Sequence, residues 1–311
     1  MPALLRSPLR EYRTWTIDSR RWEGYRPRDS DIVIATYPKC GTTWMQRIVG
    51  MLVFASAEPR PINDDSIWID ARMRDPLDVT LARLDAQPHR RFIKTHLPLD
   101  CLPLYDTVKY LHVARDGRDA CMSWHNHQVV QTPALYDQLD RIGLQDPAIG
   151  RPCPRPEADA AEFFHAWIAR WSDGRADDFF RFEMSFWSER QHANLLLVHY
   201  NDLKSDLGAE IRRIAAFLEI DLPEPLWPSL VEAGRFGAMR RDGDRLLPGA
   251  DARFRGGAGG FLFRGTNGRW RDTIDPDDLA LYAAKAEAGL SPACARWIEA
   301  GRLVAGDPRL A

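Results

Sequence analysis

The sequence predicts an α/β protein of a single domain, residues 1–311, in which helices flank a central parallel β-sheet. Four short runs of apolar, β-prone residues predict the strands, at about 31–36, 91–95, 109–114 and 195–200. Helical periodicity separates these runs, and strands that alternate with helices indicate βαβ units and therefore a parallel sheet. Hydrophobic residues make up 45% of the chain, which is ample for a core. Ligands of such sheets bind beyond the carboxyl ends of the strands, so we expect the functional site there.

The first predicted strand runs directly into a polar loop, Thr36–Trp44, and an amphipathic helix is expected over Met45–Ala55. A strand, a tight loop and a helix in that order place backbone N–H groups and a helix N-terminus around an anion. Lys39 adds a positive charge, and Thr42 and Thr43 add hydroxyl donors and a plausible helix cap. The loop is not a Walker A motif, because the lysine precedes the only glycine. It therefore predicts a phosphate site that is similar to a P-loop but distinct from it.

A second phosphate site is predicted where the strand Lys109–Ala114 enters the segment Arg115–Asp119. A helix is expected to continue from there through Ser123, eight residues after Arg115. Arg115 can reach a phosphate through two parallel N–H donors, and Ser123 can reach the same phosphate through its hydroxyl. Taken alone, the segment is better interpreted as a charged loop with its own salt bridges.

The run Phe92–Pro98 places Lys94 and His96 two residues apart, so they share a face if the strand persists that far. A histidine near a strand end is often structural or exposed to solvent.

Two further segments are expected to contribute to the site from the C-terminal half of the chain. Leu195–Tyr200 predicts a strand and is followed by a predicted helix over Gly208–Leu218. The segment Phe263–Trp270 contains two glycines, Gly265 and Gly268.

Together these segments resemble the soluble sulfotransferases, which use 3′-phosphoadenosine 5′-phosphosulfate (PAPS), over roughly residues 20–275. The stretch 37–44 is similar to the family's 5′-phosphosulfate loop, with Cys40 where the family usually has Ser. The segment from Lys94 to Pro98 is similar to the family's catalytic segment. Arg115 and Ser123 have the spacing of its 3′-phosphate site, and Tyr200 matches a tyrosine beside the adenine.

The resemblance implies a site for PAPS and for its product, 3′,5′-bisphosphoadenosine (PAP). Trp44 and Phe236 are the expected adenine sandwich, and Arg264 is the expected basic side chain toward the 3′-phosphate. The family has Lys at that last position and Arg where this chain has Phe263. The full set of implied donor contacts is Lys39, Cys40, Gly41, Thr42, Thr43, Trp44, Arg115, Ser123, Tyr200, Phe236, Met239, Arg264 and Gly265.

The activity implied is sulfuryl transfer to a hydroxyl or amine of a small, largely apolar acceptor, with no metal required. A hydroxyl is a poor nucleophile at neutral pH, and His96 is the expected general base that takes its proton. Lys39 is expected to neutralise charge on the bridging oxygen, and Lys94 to steady the sulfuryl oxygens. Ser123 is expected to hold Lys39 away from the donor until the acceptor binds.

Cys40 is the one departure inside the main loop. Its place beside Lys39 and near a helix N-terminus predicts a lowered thiol pKa and a reactive side chain. The alternative is a small residue packed under the loop. In either case we expect the backbone N–H of Cys40 to point into the anion site.

Two stretches are predicted to be loops over the site. Residues 145–157 contain four prolines, and residues 234–268 are rich in glycine. Each could be a lid over donor and acceptor or an ordinary surface loop. His125 and His127 lie one turn past Ser123. No third ligand is nearby, which disfavours a metal site, and the resemblance implies a role in the acceptor pocket, which the family lines at these positions.

Composition indicates a soluble cytoplasmic enzyme. The five cysteines are scattered without C-x-x-C spacing, which suggests reduced thiols. The N-terminus lacks the apolar core of a signal peptide, and no apolar run approaches the length of a transmembrane helix. A net charge of −2 argues against a general nucleic-acid binder. The sequence gives no oligomeric state.

Two rival functions remain open. One is a phosphotransferase that uses ATP, which would need a carboxylate for Mg²⁺ at a strand end and a lysine after the loop glycine. The other is a non-catalytic nucleotide-binding module. The presence of Lys39, Lys94 and His96 together argues against that module, since a binder needs no base. The acceptor itself is not specified.

Overall fold

A computed structural model describes residues 2–169 and 178–311. Its centre is a four-stranded sheet, and two further strands form a small antiparallel pair. The strands, in chain order, are β1 (Leu4–Arg6), β2 (Ile32–Ala35), β3 (Phe92–Thr95), β4 (Leu104–Tyr105), β5 (Lys109–Ala114) and β6 (Leu195–His199). The central sheet has the order β3-β2-β5-β6, and every neighbouring pair in it is parallel.

Helices cover both faces of this sheet. In chain order they are α1 (Thr42–Val53), α2 (Ile62–Asp65), α3 (Leu77–Asp85), α4 (Gly117–Val129), α5 (Pro133–Gln145), α6 (Ala160–Ala169), α7 (Phe179–Trp187), α8 (Tyr200–Ser205), α9 (Leu207–Phe217), α10 (Trp227–Gly234), α11 (Phe236–Arg241), α12 (Gly243–Leu246), α13 (Gly257–Phe261), α14 (Pro276–Gly289), α15 (Pro292–Ala300) and α16 (Arg302–Ala305). Within the described ranges, no helix is long and apolar enough to cross a membrane.

The strand β2 shows how the two layers are built. Successive side chains of a strand point to opposite faces. Ile32 and Ile34 pack into a cluster with helices α1, α9 and α10. Val33 and Ala35 pack into a second cluster with helices α6, α7 and α15. Because both faces are covered, all four residues are buried, which explains the continuous apolar run in the sequence.

The predicted parallel α/β sheet is confirmed, with small changes at element ends. Tyr200 begins helix α8 instead of ending β6, because the His199 side chain accepts a hydrogen bond from the backbone N–H of Asn201 and caps the helix. Helix α1 begins at Thr42, three residues earlier than predicted, because the polar loop turns directly into it.

The prediction that residues 234–268 form a loop is wrong, whereas their role as a lid stays a prediction. This segment contains helices α11, α12 and α13 and has a small core of its own. The buried members of that core include Met239, Leu246 and Leu262, which also pack near Trp44 and Phe236. Glycines interrupt the helical pattern in the sequence and hide the spacing of these apolar residues.

Residues 146–158 form an irregular segment after α5. It is attached to the N-terminal part of the chain by Asp146, whose carboxylate pairs with Arg13 at 3.0 Å and Arg72 at 2.8 Å. Cys153, Pro154 and Arg155 from this segment line the main cavity. The segment therefore borders the cavity, and its role as a lid or as an ordinary surface loop stays a prediction.

Candidate active site

The loop Thr36–Gly41 between β2 and α1, called the phosphate loop below, has two residues with left-handed backbone conformations. Lys39 has φ 70° and Gly41 has φ 114°. A Cβ on Gly41 would lie 3.2 Å from the Tyr200 ring, so both conformation and space require glycine there. The turn delivers the chain to α1, whose first backbone N–H groups have no acceptor within the helix. This is the geometry of an anion site at a helix N-terminus.

The structure corrects two details of this loop. The expected threonine cap is absent, because Gly41 occupies the N-cap position and makes no side-chain hydrogen bond. The Thr42 hydroxyl instead lies 2.5 Å from the Thr36 hydroxyl, inside the loop. The backbone N–H of Cys40 donates to the Tyr37 carbonyl at 3.2 Å, so it closes the turn and does not point into the anion site.

The Cys40 thiol is also placed differently from the expectation. Its side chain is buried, and it does not line the cavity. Burial raises the pKa of the Cys40 thiol well above its ordinary value, and the charge of Glu183 adds to the shift. The prediction of a lowered thiol pKa is therefore wrong, and the packed alternative is the one observed.

Lys39 and Lys94 bring two amines into one cavity. Lys39 Nζ lies 4.5 Å from the centre of the Phe261 ring, and Lys94 Nζ lies 4.0 Å from that of Trp68. Burial lowers the pKa of Lys39 to about 8, helped by the charge of Arg115. Burial lowers the pKa of Lys94 to about 7, helped by Arg74 and Lys39 and opposed by Asp70. Because an anion in the cavity raises both pKa values, its binding increases the protonated fraction of each amine.

His96 lies just beyond β3, beside Lys94 and over the phosphate loop. Its Nδ1 is 2.9 Å from the Thr36 carbonyl oxygen. A carbonyl can only accept, so Nδ1–H donates and Nε2 is left with the lone pair. The ring meets Trp68 edge to face with centroids 5.3 Å apart. Burial, followed by the charge of Lys94, lowers the pKa of His96 to about 3. The imidazole is therefore neutral, with the unprotonated nitrogen needed by a base.

Arg115 connects the phosphate loop to the C-terminal segment. Its Nη1 donates to the Lys39 carbonyl at 3.1 Å, and its Nη2 donates to Thr266 O at 3.0 Å and to Asn267 Oδ1 at 2.7 Å. The guanidinium lies 4.2 Å from the centre of the Tyr200 ring. Most of its donors are thus occupied by protein atoms. Ser123 lines the same cavity from helix α4.

An aromatic wall forms beside the loop. Trp44 Nε1 donates to the Gly234 carbonyl at 2.7 Å, and the Trp44 and Tyr200 rings meet edge to face at 5.2 Å. Gly265 has φ 64°, and a Cβ there would lie within 2.9 Å of several Phe236 ring atoms. Glycine therefore lets the C-terminal segment close on Phe236.

Nearly every residue predicted from the sequence lines one cavity of about 420 Å³. The members are Lys39, Gly41, Thr42, Thr43, Trp44, Lys94, His96, Arg115, Ser123, Tyr200, Phe236, Met239, Arg264 and Gly265. Cys40 is the exception. His127 lines the cavity too and stacks on Trp124 with centroids 5.2 Å apart. His125 lies outside the lining and contacts the Glu157 carbonyl at 3.0 Å.

Four cavity-lining arginines were not predicted from the sequence, Arg74, Arg155, Arg253 and Arg269. Arg269 stands between Gly268 and Trp270 in a segment already singled out, so its position was a usable signal. No pattern in the sequence marks Arg74 or Arg253. Among the described residues, no group of three or more His, Cys, Asp or Glu side chains is placed to hold a metal ion.

Comparison with known proteins agrees with this geometry. The sulfotransferase domain family matches residues 29–285. A glycolipid sulfotransferase from Mycobacterium bovis is 32% identical, covering 91% of this chain and 96% of the relative. Mouse sulfotransferase 1B1 is 29% identical over 73% of this chain and 71% of its own length.

Two solved structures share the fold. A retinol dehydratase in complex with androsterone and PAP superposes with a TM-score of 0.68 at 22% identity, covering 89% of this chain and 87% of the other. A mouse sulfotransferase complexed with PAP has a TM-score of 0.64 at 19% identity, covering 89% of each chain. The domain match and the similarity to the mycobacterial relative along nearly the whole chain place this protein in the sulfotransferase family.

Proposed function

We propose that this protein transfers a sulfuryl group from PAPS to a hydroxyl or amine of a small, largely apolar acceptor, with His96 as general base. The observation that carries the proposal is the meeting of three groups in one cavity. These are the phosphate loop, the amines of Lys39 and Lys94, and a neutral His96 whose Nδ1–H is held by the Thr36 carbonyl.

The cavity suits the donor by charge and by shape. PAPS carries a 3′-phosphate, a 5′-phosphate and a sulfuryl group, all anionic. No Asp or Glu of the described residues lines the cavity, while a set of basic residues borders the loop. Trp44, Tyr200 and Phe236 offer flat surfaces for the adenine. The basic residues we assign to the donor are Lys39, Lys94, Arg115, Arg264 and Arg269.

The protein's own contribution to the reaction is a base and two fixed charges. PAPS, when bound, supplies the sulfuryl group that the acceptor oxygen or nitrogen receives. His96 accepts the acceptor proton at Nε2, while the Thr36 carbonyl stabilises the imidazolium through Nδ1–H. Donor charge raises the pKa values of Lys39 and Lys94 from about 8 and about 7, so both amines are protonated during transfer. Preorganised cations of this kind typically lower a barrier by several kcal/mol.

The acceptor end of the cavity is mostly apolar. Trp68, Trp124, Leu135 and Phe254 line it, and His127 stacks on Trp124. The Mycobacterium bovis relative is named a glycolipid sulfotransferase, and the solved retinol dehydratase holds androsterone. These names support an acceptor with an extended apolar body.

The rival functions have less support. An ATP-dependent phosphotransferase needs a carboxylate for Mg²⁺ near the phosphates. The described part of the cavity wall offers none. A non-catalytic nucleotide-binding module would have no use for a neutral histidine held in one tautomer beside two buried amines.

The test is a transfer assay with radiolabelled PAPS and a panel of phenols, steroids, amines and glycolipids, in the presence of EDTA. The proposal predicts a labelled acceptor and stoichiometric PAP. A parallel assay with MgATP labelled in its terminal phosphate covers the rival. Phosphorylation of an acceptor without any sulfation would overturn the proposal.

A further inference from the structure

Arg74 and Arg253 lie together on the Lys94 side of the cavity. Arg253 Nη2 donates to the carbonyl of Met73 at 3.2 Å, which brings its side chain against the residue that precedes Arg74. Both arginines line the cavity. Arg74 is also close enough to lower the pKa of Lys94, which burial lowers most. The pair therefore faces the same space as the reacting groups.

Carboxylates act on this pair only from a distance, through the charges of Asp75 and Asp64 on Arg74. Across residues 2–169 and 178–311, no carboxylate forms an ion pair with Arg74 or Arg253. Those two carboxylates, Asp75 and Asp64, are instead hydrogen-bonded by Arg83 at 2.7 Å and 3.2 Å. Two adjacent guanidinium groups that are partly desolvated repel each other, and an anion between them would remove that repulsion.

The donor does not account for Arg74 and Arg253. Its anionic groups are assigned to the loop and to the basic residues around Lys39 and Arg115. The charge of Arg115 acts on Lys39, whereas that of Arg74 acts on Lys94. Arg155 also lines the cavity, but Asp140 pairs with it at 2.7 Å. Arg74 and Arg253 are the basic side chains left over.

Apolar residues surround the two arginines. Met73 and Phe254 adjoin them in the chain, and Trp68 and Leu135 line the neighbouring wall. A ligand that fits here needs an apolar body and a negative group at a fixed distance from the hydroxyl that meets His96. A phenol or sterol without charge would leave both guanidinium groups uncompensated.

We propose that the natural acceptor carries an anionic group, a carboxylate or a phosphate or sulfate ester, which Arg74 and Arg253 bind while a separate hydroxyl faces His96. This inference rests on the proposed sulfuryl transfer and specifies its substrate class. The two arginines act as specificity residues and take no part in proton transfer.

The kinetic test compares hydroxyphenyl alkanoates of increasing chain length with their methyl esters, which lack the negative charge and add one methyl group. At the chain length that spans the site, the carboxylate should be the better substrate by about ten- to a hundredfold in kcat/KM. A matching hydroxyphenyl alkyl phosphate series distinguishes a phosphate acceptor from a carboxylate. Esters as good as both anionic series at every length would overturn the inference and leave the transferase activity intact.

The variants assign the effect to residues. Arg74→Gln and Arg253→Gln should each raise KM for the anionic acceptor and leave turnover of the ester within a few-fold. Arg155→Gln is the matched control, since it removes a cavity arginine that Asp140 already neutralises. If Arg155→Gln lost the preference for the anionic acceptor over the ester equally, the effect would come from the general positive charge of the cavity and not from a specific site at Arg74 and Arg253.

A binding measurement stands apart from catalysis. Calorimetry with PAP-loaded enzyme should detect decanoate and should not detect decanamide, and Arg74→Gln should abolish the difference. If no acceptor of either series is sulfated, the proposed function fails while this measurement still decides the anion site. Equal binding of decanoate to wild type and Arg74→Gln would contradict the site itself.

Discussion

A single carbonyl decides how His96 can act. Thr36 O lies at the end of β2 and accepts from His96 Nδ1, 2.9 Å away. The lone pair is therefore on Nε2. The pKa of about 3 results from burial beside Lys94 and Lys39, and donor charge should raise it toward the range of a useful base. The sequence predicted residues that line one cavity, but it could not show the tautomer, which depends on a contact between two strand ends.

Lys39 and Lys94 should take up protons when the product binds. Their pKa values of about 8 and about 7 mean that both amines are partly or mostly neutral at pH 8 in the free protein. Anionic PAP raises both values, so binding should consume protons and affinity should fall as pH rises above about 7. Calorimetry of PAP binding at pH 8 in two buffers of different ionisation enthalpy measures the uptake. Lys39→Met should reduce it, and identical heats in the two buffers would contradict the assignment.

The proposed role of Arg115 in donor binding can be tested separately from its structural contacts. It already holds Thr266, Asn267 and the Lys39 carbonyl. If it also binds the 3′-phosphate, Arg115→Ala should lose about ten- to a hundredfold in affinity for PAP and much less for adenosine 5′-phosphate. Asn267→Ala, which removes only the structural contact, is the control. Equal weakening of both nucleotides would make Arg115 a purely structural residue.

Cys40 should be the slow thiol of this protein. Burial raises its pKa, whereas Cys153 is partly exposed, with a pKa raised by burial to about 11. Mild alkylation followed by peptide mapping should modify Cys153 before Cys40, and Cys40→Ser should keep activity within a few-fold. Rapid modification of Cys40 that PAP prevents would show that the loop opens far more than this packing allows.

At the scale of elements, the phosphate loop depends on an uncommon backbone conformation. Lys39 and Gly41 both have positive φ. Left-handed conformations cost a non-glycine residue roughly 1–2 kcal/mol. The polar motif Thr36–Trp44, with its small residues, predicted this loop from the sequence. The use of Gly41 as the helix cap, and of the Cys40 N–H to close the turn, depends on dihedral angles that no residue pattern specifies.

Gly41→Ala tests the loop directly. The new Cβ would meet Tyr200 at 3.2 Å and Val113 at 3.5 Å in a strained backbone, so we expect PAP affinity to fall and unfolding free energy to drop by about 1–3 kcal/mol. Gly237→Ala is the control, because helix α11 leaves open space there and alanine favours a helix. Equal losses in Gly41→Ala and Gly237→Ala would mean that the loop conformation is not special.

The whole molecule assembles its site from four strand ends. The apolar runs predicted each of the four central-sheet strands to within about a residue, because burial on both faces leaves a continuous hydrophobic run, whereas the short pair β1 and β4 was not predicted. The strand order β3-β2-β5-β6 is a long-range property that local pattern does not contain. That order sets His96 beside Thr36 and brings Arg115 to the Lys39 carbonyl. The helices of 234–268 and the pair Arg74 and Arg253 were not predicted for the same reason, because only tertiary contacts reveal them.

We propose that the sheet joins a donor site after β2 to a general base, His96, after β3. The most direct measurement is the turnover number of His96→Ala at saturating PAPS and acceptor, with PAP affinity determined on the same sample. We expect turnover to fall on the order of 10²–10⁴-fold, because the base is gone. We expect PAP affinity to be nearly unchanged, because the phosphate loop and Arg115 remain. Unchanged turnover in His96→Ala, with a competent acceptor, would contradict the role of His96 as base.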